Sequence, residues 1–290
     1  MLKSTITLLT LLLSSSLFAQ PAMIDVEGGT FEMGGKPGID DVNGDPIYTS
    51  MSPLHTVTVS SFRIGKYEVS QGEWMAVMGD NPSHFSACGL TCPVEEVDWY
   101  SMIVYCNALS VFYGKEPVYY KDADHVTTWV LEDYDLGGNT NAEAVYWDRS
   151  RNGFRIPTEA EWEYAARGGN ISKGYKYSGS NTIGDVAWYY DSSGNTTHDR
   201  TTNPKQPNEL GIYDMSGNVF EWVWDWYGSY PADPQCNPTG PVGGAHRVGR
   251  GGSWSFVATY CRSAIRFNFI PDNPDTGQWN GFGFRLAAPQ

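Results

Sequence analysis

The chain has 290 residues, of which 41% are hydrophobic and 14% aromatic, and its formal net charge is −14. This acidity and the lack of a basic run argue against nucleic acid and anionic membrane surfaces as partners, because phosphates are bound by clustered Lys and Arg. The 32 Gly and 17 Pro exclude long helices and predict short elements joined by ordered loops.

The N-terminus has the pattern of a bacterial signal peptide. Lys3 supplies a positive charge, residues 6–13 form an apolar core, and Leu17-Phe18-Ala19 resembles a cleavage site. The apolar stretch is too short to span a bilayer, and Gln20 stands where a lipoprotein would carry Cys. We therefore predict that residues 1–19 direct export to the periplasm, the cell surface or the medium. Residues 20–290 then form one domain with no transmembrane segment.

Local patterns predict three helices in chain order. Ser70 and Glu73 have the spacing of a capping box at the start of the first helix. A second helix is predicted from Asp98 to Leu109. The third begins after Pro157-Thr158, has acidic residues in its first turn, and ends at Arg167-Gly168.

Strands are predicted where apolar and polar residues alternate, at residues 23–35 and 55–64. The polar segment 122–150 is expected to lie over the surface. Trp222, Trp224 and Trp226 alternate along a later strand. Exposed, they would form a carbohydrate platform, but one face of indoles packed into the core is the simpler interpretation.

The cysteines number five, which fits an exported protein with limited disulfide bonding. Cys88 and Cys92 are close enough in sequence to close a tight loop. Zinc is the alternative, but two Cys without a nearby Cys or His are a poor ligand set. The odd total leaves at least one thiol free or bonded to another molecule.

Six segments, in this order along the chain, together resemble the formylglycine-generating enzyme (sulfatase-modifying factor) family. They are GKYEVSQGEW from Gly65, PVEEVDW from Pro93, FRIPTEAEWEYAARG from Phe154, NELGIYDMSGNVFEW from Asn208, RGGSW from Arg250 and GFR from Gly283. The resemblance implies an α+β, C-type-lectin-like fold with short helices, short strands and much irregular structure.

The family's best-known activity is copper-dependent oxidation of a substrate cysteine, for which the resemblance implies two cysteine thiolates. Cys261 matches the second of them, but Phe256 occupies the first, and a phenyl ring cannot ligate copper. A sister branch uses iron held by clustered histidines, whereas the five His here form no His-x-x-x-His pair. We expect neither copper nor iron, and no catalysis. An oxidase with an altered copper site using Cys261 is the alternative.

The segment Gly217-Asn-Val-Phe-Glu-Trp222 matches a family motif whose Asn and Glu help to bind structural calcium. The resemblance therefore makes Asn218 and Glu221 candidate calcium ligands, and oxygen donors of this kind suit Ca²⁺. The simpler alternative is that Glu221 only makes hydrogen bonds within a loop.

The C-terminal segment 255–282 resembles the variable region of proteins diversified by retroelements, whose fold is the same. In those proteins, randomised adenines of Asn codons yield a restricted set of residues that includes Ser, Phe, Val, Thr, Tyr and Ile but excludes Trp, Gln, Lys, Glu and Met. The candidate ligand-binding residues all belong to that set: Ser255, Phe256, Val257, Thr259, Tyr260, Ile265, Phe267, Asn268, Phe269 and Ile270.

These residues predict a binding surface if their rings are exposed, since aromatic side chains give large contact area at low entropic cost. The alternative is that the rings belong to the core. We therefore predict an exported, monomeric protein that binds a protein or small molecule at the cell surface. A structural envelope protein that keeps only the scaffold is the other possibility.

Overall fold

The computed structural model describes residues 20–41, 44–133, 144–272 and 279–290. The predicted signal peptide, residues 1–19, lies outside the described residues, as do positions 273–278 of the candidate variable region. No helix in the described part of the chain is long and apolar enough to cross a membrane. The predicted mixture of short helices, short strands and long loops is confirmed.

The described residues form four α-helices: α1 (Gln71–Met78), α2 (Trp99–Phe112), α3 (Glu159–Ala166) and α4 (Ile183–Val186). The capping box predicted for α1 is confirmed, because the Ser70 hydroxyl accepts from the Glu73 amide and the Glu73 carboxylate accepts from the Ser70 amide. Thr158 and Glu161 form the same reciprocal arrangement at α3. Asp98 caps α2, which continues three residues beyond the predicted end at Leu109.

The strands are short, and most of them join distant parts of the chain. Their bounds are β1 (Met23–Val26), β2 (Gly29–Met33), β3 (His55–Val59), β4 (Phe62–Gly65), β5 (Tyr119–Tyr120), β6 (Tyr146–Trp147), β7 (Phe220–Trp226), β8 (Gln235–Cys236), β9 (Arg247–Arg250), β10 (Arg266–Phe269), β11 (Phe282–Gly283) and β12 (Ala287–Pro289). The two predicted N-terminal strands are each split in two.

The described strands form four small sheets. Their strand orders are β1-β4-β12, β2-β3-β8, β10-β9-β7-β11 and β5-β6. The four-stranded sheet carries part of the candidate variable region on its edge strand β10, with β9 between β10 and β7. The described parts of segment 122–150 are mostly exposed, as predicted, although Trp129 is buried.

The core lies on both sides of this sheet. One large cluster packs α1 and α2 against β7 and includes Trp222, which is fully buried. Trp224 stacks on Tyr119 with ring centroids 5.4 Å apart, and the Arg247 guanidinium covers Trp226 at 3.5 Å. Trp222 is therefore a core residue and Trp224 packs against the core, as predicted, whereas Trp226 is half-buried beneath Arg247 and belongs to no core cluster of the described residues.

Buried arginines hold the irregular C-terminal segment in place. Arg250, fully buried, donates to the Glu163 carboxylate and to the carbonyl oxygens of Ser263, Ala264 and Ile265. Arg262, also fully buried, donates to the carbonyls of Asp40 and Pro46. Because a guanidinium has five donors in a rigid fork, each side chain satisfies several loop carbonyls at once. These contacts fix the segment that carries the candidate binding residues.

Candidate ligand-binding surface

The candidate binding residues lie on β10 and on the loop that leads into it from β9. β9 and β10 pair antiparallel, with Phe267 opposite Gly249 and Phe269 opposite Arg247. A Cβ at position 249 would lie 2.9 Å from the Phe269 ring, so glycine there lets this ring lie across the neighbouring strand. Gly251 and Gly252 turn the chain out of β9 with φ of 89° and 75°, a conformation that glycine adopts without strain.

Four aromatic rings, Phe256, Tyr260, Phe267 and Phe269, form one continuous cluster that we name the aromatic surface. Neighbouring ring centroids are 5.5 to 6.0 Å apart, from Tyr260–Phe267 to Phe267–Phe269. Each ring is half-buried. Three of them rest on the fully buried Phe220, with centroid distances of 4.8 Å to Phe256, 5.0 Å to Phe267 and 5.6 Å to Phe269. The rings are therefore neither fully buried core residues nor fully exposed ones: each packs against other aromatic rings and is partly exposed to solvent.

Smaller residues flank this cluster in the chain. Ser255 is exposed, and Val257 and Ile270 expose 46% and 44% of their surface. Thr259 is half-buried and donates from its hydroxyl to Asp45 at 2.9 Å. Aliphatic side chains this exposed, next to half-exposed rings, give an apolar face on a protein whose net charge is strongly negative.

Two predicted binding residues do not join the aromatic surface. Ile265 is 2% exposed and packs with Met51 and Ala264, so it is a core residue. Asn268 is exposed, but successive side chains of a strand point to opposite faces, which separates it from Phe267 and Phe269. The set of residues that randomised Asn codons can encode therefore does not tell which side chains of an edge strand face the binding surface.

Sequence reasoning also missed residues that complete the surface. Tyr48, more than 200 positions away in the chain, stacks on Tyr260 with ring centroids 6.1 Å apart. Tyr190 is 56% exposed, and its amide donates to the Phe256 carbonyl at 3.0 Å. No local pattern marks either tyrosine, because each is brought in by long-range folding. Phe220 lies inside the quoted motif and could have been recognised as an alternating inward position of β7.

Cys261 does not have the properties of a copper ligand. The residue is fully buried, and burial raises the pKa of its thiol to about 12. Copper binding requires the thiolate. Phe256, at the other ligand position, turns its ring onto Phe220. These two positions therefore provide no pair of thiolates.

Asn218 and Glu221 are both buried, but their oxygens already have partners. The Glu221 carboxylate accepts a bidentate pair of hydrogen bonds from Arg285 and a third from the Trp162 indole at 2.6 Å. The Asn218 carbonyl oxygen accepts from the His198 amide at 2.9 Å, and its NH₂ donates to Glu68. In this arrangement Arg285 supplies the positive charge, so the two predicted ligands do not fit a calcium ion.

Asp214 is the carboxylate of this region that sequence reasoning missed. Its Oδ1 is buried without a hydrogen-bond partner in the described part of the chain, and burial raises the pKa of this carboxyl to about 7. The described residues contain no group of three or more His, Cys, Asp or Glu side chains placed to hold a metal ion.

The predicted loop disulfide is confirmed: Cys88 and Cys92 are bonded.

The fold and the surface together define a C-type-lectin-like domain of the formylglycine-generating type. Residues 11–289 match the sulfatase-modifying factor enzyme 1-like domain, and the chain belongs to that family.

Relatives within the family differ in what they are named for. The chain is 39% identical to the chaperone protein LppX of Paenibacillus barcinonensis over 80% of this chain and 78% of that protein. It is 28% identical to the formylglycine-generating enzyme of Thermomonospora curvata over 92% and 93% of the two chains. The structure of Treponema denticola variable protein 1 superposes with a TM-score of 0.78 at 36% identity, covering 92% of this chain and 95% of that one.

Proposed function

We propose that this protein is an exported, non-catalytic binding protein whose ligand contacts the aromatic surface. The observation that carries the proposal is the state of the four rings: each is partly exposed, three of them rest on the buried Phe220, and Tyr260 packs against Phe267 and Tyr48. Aromatic groups held in this way lose little conformational entropy on binding and present large contact area. Such rings are typical of the anchor positions of interfaces.

The composition of the aromatic surface favours an apolar contact on the ligand. The polar groups among the loop residues that form or flank it are Ser255, the Thr259 hydroxyl, which is bonded to Asp45, and the Tyr260 hydroxyl. The other rings and the flanking Val257 and Ile270 are apolar. Burying apolar area contributes roughly 25 cal/mol per Å². A ligand with exposed apolar side chains on a folded or extended protein segment is therefore the best match. We take the binding unit to be a monomer.

The similarity to a treponemal variable protein supports diversification at these positions. Export is supported separately by residues 1–19, which have the pattern of a signal peptide. The genomic neighbourhood provides a direct test. The proposal predicts a second, Asn-codon-rich copy of the segment encoding residues 255–282 beside a reverse transcriptase gene. A locus with neither would leave binding in place and remove diversification.

Binding itself is tested by panning a displayed library of random peptides against the mature protein. We expect the enriched peptides to be rich in apolar residues. Their affinity should fall about tenfold or more for the Phe256→Ser and Phe267→Ser variants, because truncating an interface anchor typically costs about 2 kcal/mol of binding free energy. The matched control is Phe112→Ser, a half-buried ring at the end of α2. Equal affinity for the three variants and the parent would contradict the proposal.

The oxidase alternative has its own test. Oxygen consumption is measured with copper and a cysteine-containing peptide, for the parent protein and for Cys261→Ser. We expect no consumption above that of the variant, because the Cys261 thiol is buried and protonated. Consumption that depends on both copper and Cys261 would restore the enzyme interpretation.

A further inference from the structure

A second candidate site lies on the opposite face of β10 from the aromatic surface. A cavity of about 300 Å³ is bounded by Arg266 of β10, the start of α3, the end of β7 and the loops at 228–231 and 235–241. This volume is at the lower end of what small-molecule sites provide. Exposed Ser229 is among the lining residues, so the cavity communicates with solvent.

One ion pair in the cavity is internally satisfied. The Glu159 carboxylate accepts from Arg266 Nε at 2.8 Å and from Nη2 at 2.7 Å. The Tyr230 hydroxyl donates to the same carboxylate at 3.1 Å, and Arg266 Nη1 donates to the Gly228 carbonyl. A bidentate pair of this kind leaves neither partner in need of a ligand.

Asp225 is different, because only one of its oxygens has a partner. Its side chain lines the cavity, and the residue is 4% exposed. Oδ2 accepts from the Glu159 amide at 2.8 Å. Oδ1 makes no hydrogen bond to any residue that the structure describes. A carboxylate oxygen that faces a cavity and has no protein donor can accept a hydrogen bond from a ligand.

The charge of the cavity selects the kind of donor. Glu159 is paired with Arg266 and lies 3.7 Å from Arg250, so Asp225 is the acidic lining group that forms no ion pair with a described residue, and its ionised form favours a cation over an anion. A charged donor also makes a stronger hydrogen bond to a carboxylate than a hydroxyl does. The remaining walls include Met33, Pro231, Pro238 and Pro241, which suit an apolar stem.

We infer that this cavity is a binding site for a small organic cation, a primary ammonium group on a short apolar or aromatic stem. The ammonium donates to Asp225 Oδ1, and the stem packs between the prolines and Met33. The raised pKa of Asp225, about 8, has burial as its main cause and Glu159 as its second. A bound ammonium supplies the positive neighbour that lowers this pKa.

The probe for this site is benzylamine, compared with benzyl alcohol and benzoate as compounds of similar size. In calorimetric titrations of the mature protein at pH 8.5, above the Asp225 pKa of about 8, we expect benzylamine to bind at least about tenfold more tightly than either, since its hydrogen bond to the ionised carboxylate is charge-assisted. Asp225→Asn should weaken benzylamine by a similar factor and leave benzyl alcohol unchanged. Equal affinities for amine and alcohol, or no change in the variant, would overturn the inference.

Location and independence need two further measurements. The Met33 methyl resonance should shift on titration with benzylamine, because this residue lines the cavity. Phe267→Ser should not alter benzylamine binding, which separates this site from the aromatic surface. Where Asp225→Asn fails to fold, Ser229→Trp at the mouth of the cavity replaces it and should block binding. A shift confined to residues away from the cavity, or amine binding that survives Ser229→Trp, would refute the site.

Discussion

Within the segment 250–270, most polar side chains point inward and most aromatic ones outward. The framework residues, as we name them, are Arg250, Cys261, Arg262, Ser263 and Arg266; all are buried, as are the apolar Ala264 and Ile265 beside them. Between them stand the outward residues of the aromatic surface and its flanks. The framework arginines bond to backbone carbonyls and to acidic partners far away in the chain, whereas the outward side chains make ring contacts and few hydrogen bonds.

The difference shows how a loop without regular structure can be both fixed and replaceable. Because Arg250 and Arg262 bond to carbonyl oxygens, they hold the loop backbone whatever side chains that backbone carries. The outward side chains therefore do not determine the path of the loop backbone. This separation is what a binding surface that changes its residues requires.

The largest effect is expected for a framework arginine. Arg250→Ala leaves the buried Glu163 without one of its partners and leaves the carbonyls of Ser263, Ala264 and Ile265 without their donor. We expect the free energy of unfolding to fall by about 3–5 kcal/mol, the usual cost of breaking a buried ion pair. Urea denaturation measures it, with exposed Arg149→Ala as the control. A loss below about 1 kcal/mol would mean that the framework does not hold the loop.

A smaller effect is expected for the disulfide that closes the loop at 88–92. Phe85, just before it, packs edge-on against Trp254 of the Gly-Gly-Ser-Trp segment, with ring centroids 5.2 Å apart. Removing a cross-link over so short a loop costs about 2 kcal/mol in the chain-entropy account. Cys88→Ser should lower stability by that amount in urea denaturation without changing peptide binding. Loss of binding at unchanged stability would place this loop in the binding surface instead.

The next effect depends on pH and concerns Asp225, beneath β10. Its folded-state pKa of about 8 is well above the ordinary value, mainly through burial, with Glu159, Glu161 and Arg266 as its charged neighbours. Between pH 5 and pH 8 the folded state keeps a proton that the unfolded chain has lost, so stability falls as pH rises.

Asp225→Asn removes this contribution, because the amide does not titrate. We expect the variant to gain at least about 1 kcal/mol relative to the parent between pH 5 and pH 8. Urea midpoints measured across this range test the expectation. Parallel pH profiles for parent and variant would show that Asp225 is ionised in the fold at pH 5.

The smallest effect is expected for calcium. Arg285 already satisfies the Glu221 carboxylate, so we expect no calcium to bind there. Because only a ligand that binds the folded state stabilises it, removing calcium with a chelator should change the melting temperature of the protein by less than about 1 °C. A drop of several degrees would mean that calcium displaces this guanidinium, and the calcium prediction from Asn218 and Glu221 would stand after all.

Much of the scaffold could be predicted because its information is local. The capping residues Ser70, Asp98 and Thr158 mark helix starts by hydrogen bonds within three positions, and the structure confirms them. Trp222 reports burial through strand alternation. The six segments that resemble the family, in the same order along the chain, predicted the fold class. Each of these features depends on residues that are near each other in sequence.

The site was harder to predict because it depends on long-range contacts. Ile265 passes every compositional test for a binding residue but is buried against Met51. Tyr48 reaches Tyr260 only through the fold. Asp225 looks like any acidic residue of a Trp-rich strand until the loops at 228–231 and 235–241 enclose it. At these three positions, burial and partners are set by contacts between distant parts of the chain, and no local pattern indicates them.

The most direct test of the account randomises two sets of positions in the displayed protein and counts the clones that resist protease. One library varies the outward residues Ser255, Phe256, Val257, Tyr260, Phe267 and Ile270, and the other varies the framework residues together with Ile265. The account predicts that most clones of the outward library stay folded and yield binders to a chosen protein target, whereas almost none of the framework library survive. Equal survival of the two libraries, or an outward library that unfolds, would contradict it.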